Sequence, residues 1–114
     1  MSEAQWRIRL GVEAERDFAR ILKYTADTFG EGQAGVYRTT LVEALMALHS
    51  GPDVTGSAAR GEILPDLRSL HVARNGRRGR HFILYRPAHG QVIEVIRILH
   101  DAMDLARHIP SESD

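Results

Sequence analysis

Residues 92 to 99 read Val-Ile-Glu-Val-Ile-Arg-Ile-Leu, an apolar run interrupted only by Glu94 and Arg97 and ended by His100. Val and Ile dominate it, and it is too short for a typical helix. The run therefore predicts a strand buried on both faces. At 114 residues the chain is one domain, 1–114, with room for a single core. A charge placed inside a buried strand needs a partner or a chemical task. Glu94 and Arg97 are the first residues that ask for an explanation.

The remaining elements follow from spacing. Trp6, Ile8 and Leu10 alternate with Arg7 and Arg9, which predicts a half-buried N-terminal strand. Ala14, Phe18, Ile21, Leu22, Thr25 and Phe29 then fall on one face of a helix that Gly30 and Gly32 stop. A second helix carries Ala34, Tyr37, Leu41, Ala44, Leu45 and Leu48 and ends at Gly51-Pro52. So short a connection makes the two helices an antiparallel hairpin. The small and polar residues of 51–62 read as a loop. Strands are predicted at Leu67 to Val72, Arg80 to Arg86 and Gln91 to Leu99. The Asn75-Gly76 hairpin signal and a turn at Pro87 to Gly90 link them into an antiparallel meander. Asp101 to His108 is expected as a short helix or tail ended by Pro110, with Ser111 to Asp114 frayed. The fold class is α+β. Two helices cannot cover both faces of a four-stranded sheet, so one face is expected to stay open, with basic residues of the meander lining it or its rim.

Composition narrows the partners. Cysteine is absent, which excludes disulfides and thiolate metal sites. No run approaches the roughly 20 apolar residues that cross a bilayer, and Met1 to Leu10 has no signal-peptide pattern, so a cytoplasmic protein is expected. The net charge of zero hides a segregation: residues 60–100 hold eight arginines against three acids, a net +5. Lys23 is the only lysine. Arginine's planar fork suits carboxylate and phosphate, so the bias favours an acidic partner over a merely solvated surface.

One grouping has the residue types for acid–base work: His81, Tyr85, Arg86, Arg97 and His100. A ribonuclease needs a base for the 2′-hydroxyl, an acid for the leaving oxygen and cations for the phosphate. Arg86, Arg97 and His100 are the candidate catalytic set. The favoured alternative makes Tyr85 a core residue with its hydroxyl tied back and Arg97 a paired buried charge. His49, His71, His89 and His108 form no metal-ligand spacing, and no metal or cofactor is expected. The glycines and arginines of 76–80 match no phosphate-binding loop, and no recognition-helix pattern points to sequence-specific DNA binding.

Several of these pieces recur together elsewhere. Tyr24, Phe29-Gly30, Gln33-Ala34 and Tyr37, then Leu67-Arg68, His81-Phe82-Ile83-Leu84-Tyr85-Arg86 and the terminal Arg97-Ile-Leu-His-x-x-Met-Asp-x-x-x-His108 series resemble the ParE toxins of the RelE/ParE toxin–antitoxin superfamily. The resemblance implies the strand, helix-hairpin, meander order just described. It also implies the toxin of a type II toxin–antitoxin system, associated with plasmid stabilization. Such a toxin would inhibit DNA gyrase by protein binding and be neutralised by a ParD-like antitoxin. Under it, Arg74, Arg77, Arg78 and Arg80 are the expected antitoxin contacts. Met103, Asp104, Arg107 and His108, which packing explains least, are the expected target contacts. A RelE-like ribosome-dependent mRNA endonuclease is the second reading. That branch commonly carries lysines in the loop before the meander and a tyrosine shortly after the last strand; this chain has neither. A non-toxic partner-binding relative is the third.

Overall fold

A single residue, Gly30 at φ 97°, breaks the helical region in two. An L side chain is strained at that angle, so the chain turns sharply there without a loop. The computed structural model describes residues 5–109. In chain order the elements are β1 (Arg7–Leu10), α1 (Val12–Phe29), α2 (Glu31–Ala47), β2 (Ser57–Ala59), β3 (Arg68–His71), β4 (His81–Ala88) and β5 (Val92–His100). Short 3₁₀ turns occupy Leu48–Ser50 and Leu105–His108. Gly32 lies inside α2 and does not interrupt it.

The five strands form one sheet in the order β1-β5-β4-β3-β2. β1 runs parallel to β5 and every other pairing is antiparallel. The Val/Ile-rich run is thus an inner strand, flanked by β1 and β4. A register shift between Leu84 and Tyr85 adds a residue on β5, so Leu84 faces Arg97 while Tyr85 faces Val95. β1 reaches only as far as Val95, and β5 continues five residues beyond it. The Asn-Gly signal is real: Asn75 (φ 53°) and Gly76 (φ 80°) make a tight turn closed by Arg77 N–H to the Arg74 carbonyl at 3.0 Å. It sits at the tip of a longer loop, because strand pairing of β3 with β4 ends at His71 and Phe82.

The helix hairpin covers one sheet face. Leu41, Ala44, Leu45 and Leu48 of the second helical region meet Leu70, Val72, Ile83, Tyr85, Ile93, Val95 and Ile98 in the main core. Burying each of the Leu, Ile and Val side chains among them contributes about 1.5–3 kcal/mol. The opposite face is not open, contrary to the sequence reading. Leu64, Leu67, Leu84 and Leu99 form a second buried cluster there, with Ile63, Ile96, Leu105 and Ile109 packed against it. The cover is irregular chain, the 60–67 loop and the terminal 3₁₀ turn, and irregular chain has no apolar periodicity to reveal it. The same residues correct the view of the terminus as a tail external to the core. Residues 57–59, read as loop, add a short edge strand whose register is set by β3. The expected stop at Pro110 and the fraying of 111–114 lie outside the described residues.

Candidate functional site

Where β5 outruns β1, its exposed edge is met by α1. Asp17 of α1 is 3% exposed and accepts Arg97 Nε at 2.7 Å, Arg97 Nη2 at 2.9 Å and the Ile98 backbone N–H at 2.9 Å. Arg97 Nη1 also donates to the His108 carbonyl at 3.0 Å. The paired carboxylate raises the Arg97 pKa further. Arg97 is therefore the paired charge that its place in a buried strand demanded, and it ties α1, β5 and the terminal segment together. Tyr85 is fully buried with its hydroxyl donating to the Pro52 carbonyl at 2.7 Å.

Around this edge opens a groove of about 1230 Å³ between the helix hairpin and the β3–β4 loop. Six large apolar side chains are exposed among the described residues, and four of them, Tyr24, Phe29, Val36 and Met103, line it. Arg20, Arg77, Arg78, Arg80 and Arg97 supply its charge, and Asp17, already committed to Arg97, is the one carboxylate among its lining residues. The helical spacing placed Phe29 on the core face; at 63% exposure, in the last position of α1, it is a rim residue of the groove instead.

The inner wall is a polar cluster. Tyr37 Oη accepts the Arg80 backbone N–H at 3.1 Å and shares a hydrogen bond with His81 Nδ1 at 2.6 Å. Burial, reinforced by neighbouring His100, lowers the His81 pKa to about 4, and burial raises that of Tyr37. The His81 and His100 rings meet edge to face at 5.4 Å. Ala73 N–H donates to His71 Nδ1 at 3.0 Å, which leaves the ring proton on Nε2, 2.9 Å from Asp101 Oδ2. Arg80 grips the same carboxylate through Nε at 3.1 Å and Nη2 at 2.9 Å. Arg80 first, then His71, hold Asp101 well below the usual carboxylate range. Gly79 makes the wall possible. A Cβ there would lie 2.5 Å from Val72 Cγ2 and 3.0 Å from Tyr37 Oη.

The sequence-predicted residues divide. Arg77, Arg78 and Arg80 share the groove, whereas Arg74 lies outside its lining and donates to the Thr55 carbonyl at 3.0 Å. Arg77 is bidentate to Glu43 at 3.0 and 3.1 Å, and Arg78 is exposed with no side-chain partner among the described residues. Met103, Asp104 and Arg107 are exposed, and His108 is half-buried with its carbonyl bound to Arg97. Arg86, Arg97 and His100 do not converge. Arg86 pairs across from Glu94 and His81 from His100, so Arg86 and His100 stand about 17 Å apart along the sheet. Asp17, Asp101 and the Tyr37–His81 contact went unread. Asp17 left a signal, a carboxylate inside the apolar stripe of its helix, answering the arginine inside the apolar strand.

The geometry has counterparts. Residues 8–105 match the family model described as the ParE toxin of the type II toxin–antitoxin system parDE. Toxin ParE1 of Mycobacterium tuberculosis is 30% identical over 103 residues, covering 90% of this chain and 97% of that protein. Toxin ParE of Escherichia coli is 30% identical over 96 residues, covering 84% and 85%. Among solved structures, the chromosomal ParDE system of P. aeruginosa superposes with a TM-score of 0.67 at 19% identity, covering 86% of this chain and 98% of that one. The RelBE2 toxin–antitoxin complex of M. tuberculosis gives 0.56 at 21%, covering 84% and 98%. The last two carry the fold. With the matched span and the two relatives, the chain belongs to the ParE toxin family of type II toxin–antitoxin systems.

Proposed function

We propose that this ParE-family toxin acts in the cytoplasm by binding a protein target, DNA gyrase, and that a ParD-like antitoxin neutralises it by seating an acidic amphipathic segment in the groove. The observation that carries this reading is the composition of the groove. Four exposed apolar side chains sit among five arginines whose only lining carboxylate is already bound. Exposed apolar area ringed by like charge marks a surface built for a complementary partner. Arg78 is the cation most ready for a new carboxylate, and Arg77 and Arg80 would exchange internal partners for external ones. Met103, Asp104 and Arg107 project from the terminal segment and form the target contact, with His108 setting the segment's path.

The endonuclease reading has less support. Arg97 spends its guanidinium on Asp17 and the His108 carbonyl, and Arg86 is remote from His100. Supercoiling by purified gyrase tests the proposal, with inhibition expected from the native protein and lost in Met103→Ala/Arg107→Ala. Absence of inhibition at any concentration rejects gyrase as target, and mRNA cleavage on ribosomes that disappears in His100→Ala installs the nuclease. Replacing Arg77, Arg78 and Arg80 with Ala should weaken antitoxin binding at least tenfold, about 1.4 kcal/mol.

A further inference from the structure

Arg80 is the least consistent residue of the groove. Its side chain is 68% exposed, yet its guanidinium lies bidentate on Asp101, whose side chain is only 19% exposed. Exposed arginine ion pairs are worth little by themselves, since water competes for both partners. This pair is reinforced from three sides. The Asp101 backbone N–H donates to the Arg80 carbonyl at 2.8 Å, His71 Nε2 holds Oδ2, and His100 Nδ1 stands 3.6 Å from Oδ1. Asp101 is also the first residue after β5, so the pair fixes where the terminal segment departs from the sheet. The chain has placed one of its own carboxylates on a cation that the groove offers to an acidic partner.

We propose that Asp101 is an internal competitor for Arg80, and that an acidic partner segment displaces it, so that capture of the toxin and release of the terminal segment are one exchange. The inference rests on the groove being the partner site. The Nε–Nη2 edge of the guanidinium, which Asp101 occupies, holds only one carboxylate in bidentate geometry, so a partner carboxylate displaces Asp101 by taking that edge. A partner carboxylate that takes it leaves Asp101 with His71, His100 and its own backbone bond to the Arg80 carbonyl. The segment carrying Met103, Asp104 and Arg107 then loses the strongest side-chain anchor at its root while Arg97 still holds it at His108. Neutralisation follows from moving the target-contacting side chains as well as from covering them. The exchange also sets specificity. A neutral apolar segment could fill the space among Tyr24, Phe29 and Val36, but it could not shift Asp101, and would leave the terminal segment in place.

The test uses the whole chain and a designed amphipathic helical peptide with a Leu/Phe face flanked by glutamates, and its glutamine counterpart as control. Asp101→Asn, which keeps the shape and loses the charge, should bind the acidic peptide about tenfold more tightly than the native protein. Arg80→Ala should bind it more weakly, and adding Asp101→Asn to Arg80→Ala should change nothing further. Asp101→Ser serves as a second variant, with circular dichroism confirming the fold of each. Hydrogen exchange of residues 101–109 should quicken when the acidic peptide binds and stay unchanged with the glutamine peptide. Equal affinity of Asp101→Asn and native protein overturns the competition. A gain that persists without Arg80 reduces Asp101 to a long-range repulsion and also overturns it. Failure of both native and variant proteins to bind the acidic peptide removes the groove reading itself, a result distinct from the other two.

Discussion

Replacing Asp17 with Ala should cost this protein a large share of its stability. The carboxylate is 3% exposed and receives two guanidinium donors and one backbone N–H at 2.7 to 2.9 Å. Removing it strands the Arg97 charge, whose side chain is 16% exposed, and orphans the Ile98 N–H on a strand edge that β1 does not reach. Breaking one partner out of a buried ion pair costs about 3–5 kcal/mol. Arg97 keeps the His108 carbonyl and some access to water, which puts the expected loss near the lower bound, about 3 kcal/mol. Against a total stability of about 5–15 kcal/mol, that is a fifth of the fold or more. At about 4 °C per kcal/mol for a chain of this length, the midpoint should fall by about 12 °C. Urea and thermal unfolding followed by circular dichroism measure both numbers. Asp17→Asn keeps an acceptor for Ile98 and should fall between native and Asp17→Ala. The double variant Asp17→Leu/Arg97→Met removes both charges but still leaves the Ile98 N–H unmet, so it should recover only part of the loss. A loss below about 1 kcal/mol in Asp17→Ala would refute the reasoning, since that is the range of an exposed pair.

Three further outcomes are expected. Deleting residues 102–114 uncovers Leu64, Leu67, Leu84 and Leu99 by removing Leu105 and Ile109, so the truncated protein should unfold at distinctly lower urea and bind a hydrophobic dye, where a dispensable tail would do neither. His81 is held neutral to about pH 4, below the usual 6.5 of an unfolded histidine, so the unfolded chain binds the extra proton first. Its neutral form supports the fold fully above pH 6.5 and progressively less down to about pH 4; the urea midpoint should decline across that window and decline less in His81→Gln, while proton resonances of His81 should stay untitrated at pH 5.5. Gly79→Ala drives a methyl into Val72 and Tyr37 and should destabilise by about 1–3 kcal/mol, with loss of the Tyr37–His81 hydrogen bond visible in the His81 ring resonances; unchanged stability would mean that the loop relaxes freely.

What could be read from the chain was what repeats at a period. The inner strand at Val92–His100, the helix hairpin and the Asn75-Gly76 turn all announce themselves locally, through alternation, the 3.6-residue stripe and a residue pair that tolerates positive φ. The cover over the second face does not, because Ile63, Leu64, Leu105 and Ile109 come from irregular chain whose path depends on the sheet beneath it. The charge of the groove was legible and its internal pairing was not. Arginine enrichment pointed to an acidic partner, yet nothing local says that Arg77 already holds Glu43 or that Arg80 holds Asp101, since those meetings depend on the closure of the β3–β4 loop against α2 and β5. Strand alternation puts His81 on one face with Ile83 and Tyr85, and the structure makes that the helix-facing side, but Tyr37 as its partner required knowing the helix-to-sheet register.

The parallel pairing of β1 with β5 has a consequence for when the molecule can exist at all. Arg7 finds its partner at Val92 and Asp17 finds Arg97, each some eighty residues further along the chain. A nascent polypeptide emerging N-terminus first holds its first strand and helix hairpin without the inner strand they must pack on. Closing so long a loop is entropically slow and is rewarded only at the end. Until β5 has left the ribosome, the Asp17 carboxylate has only its helix neighbour Arg20 in place of Arg97, and the groove has no floor. A chain that stops short during synthesis is therefore without the inner strand of its sheet, and the groove that this strand floors comes into being only when translation of the second half is complete.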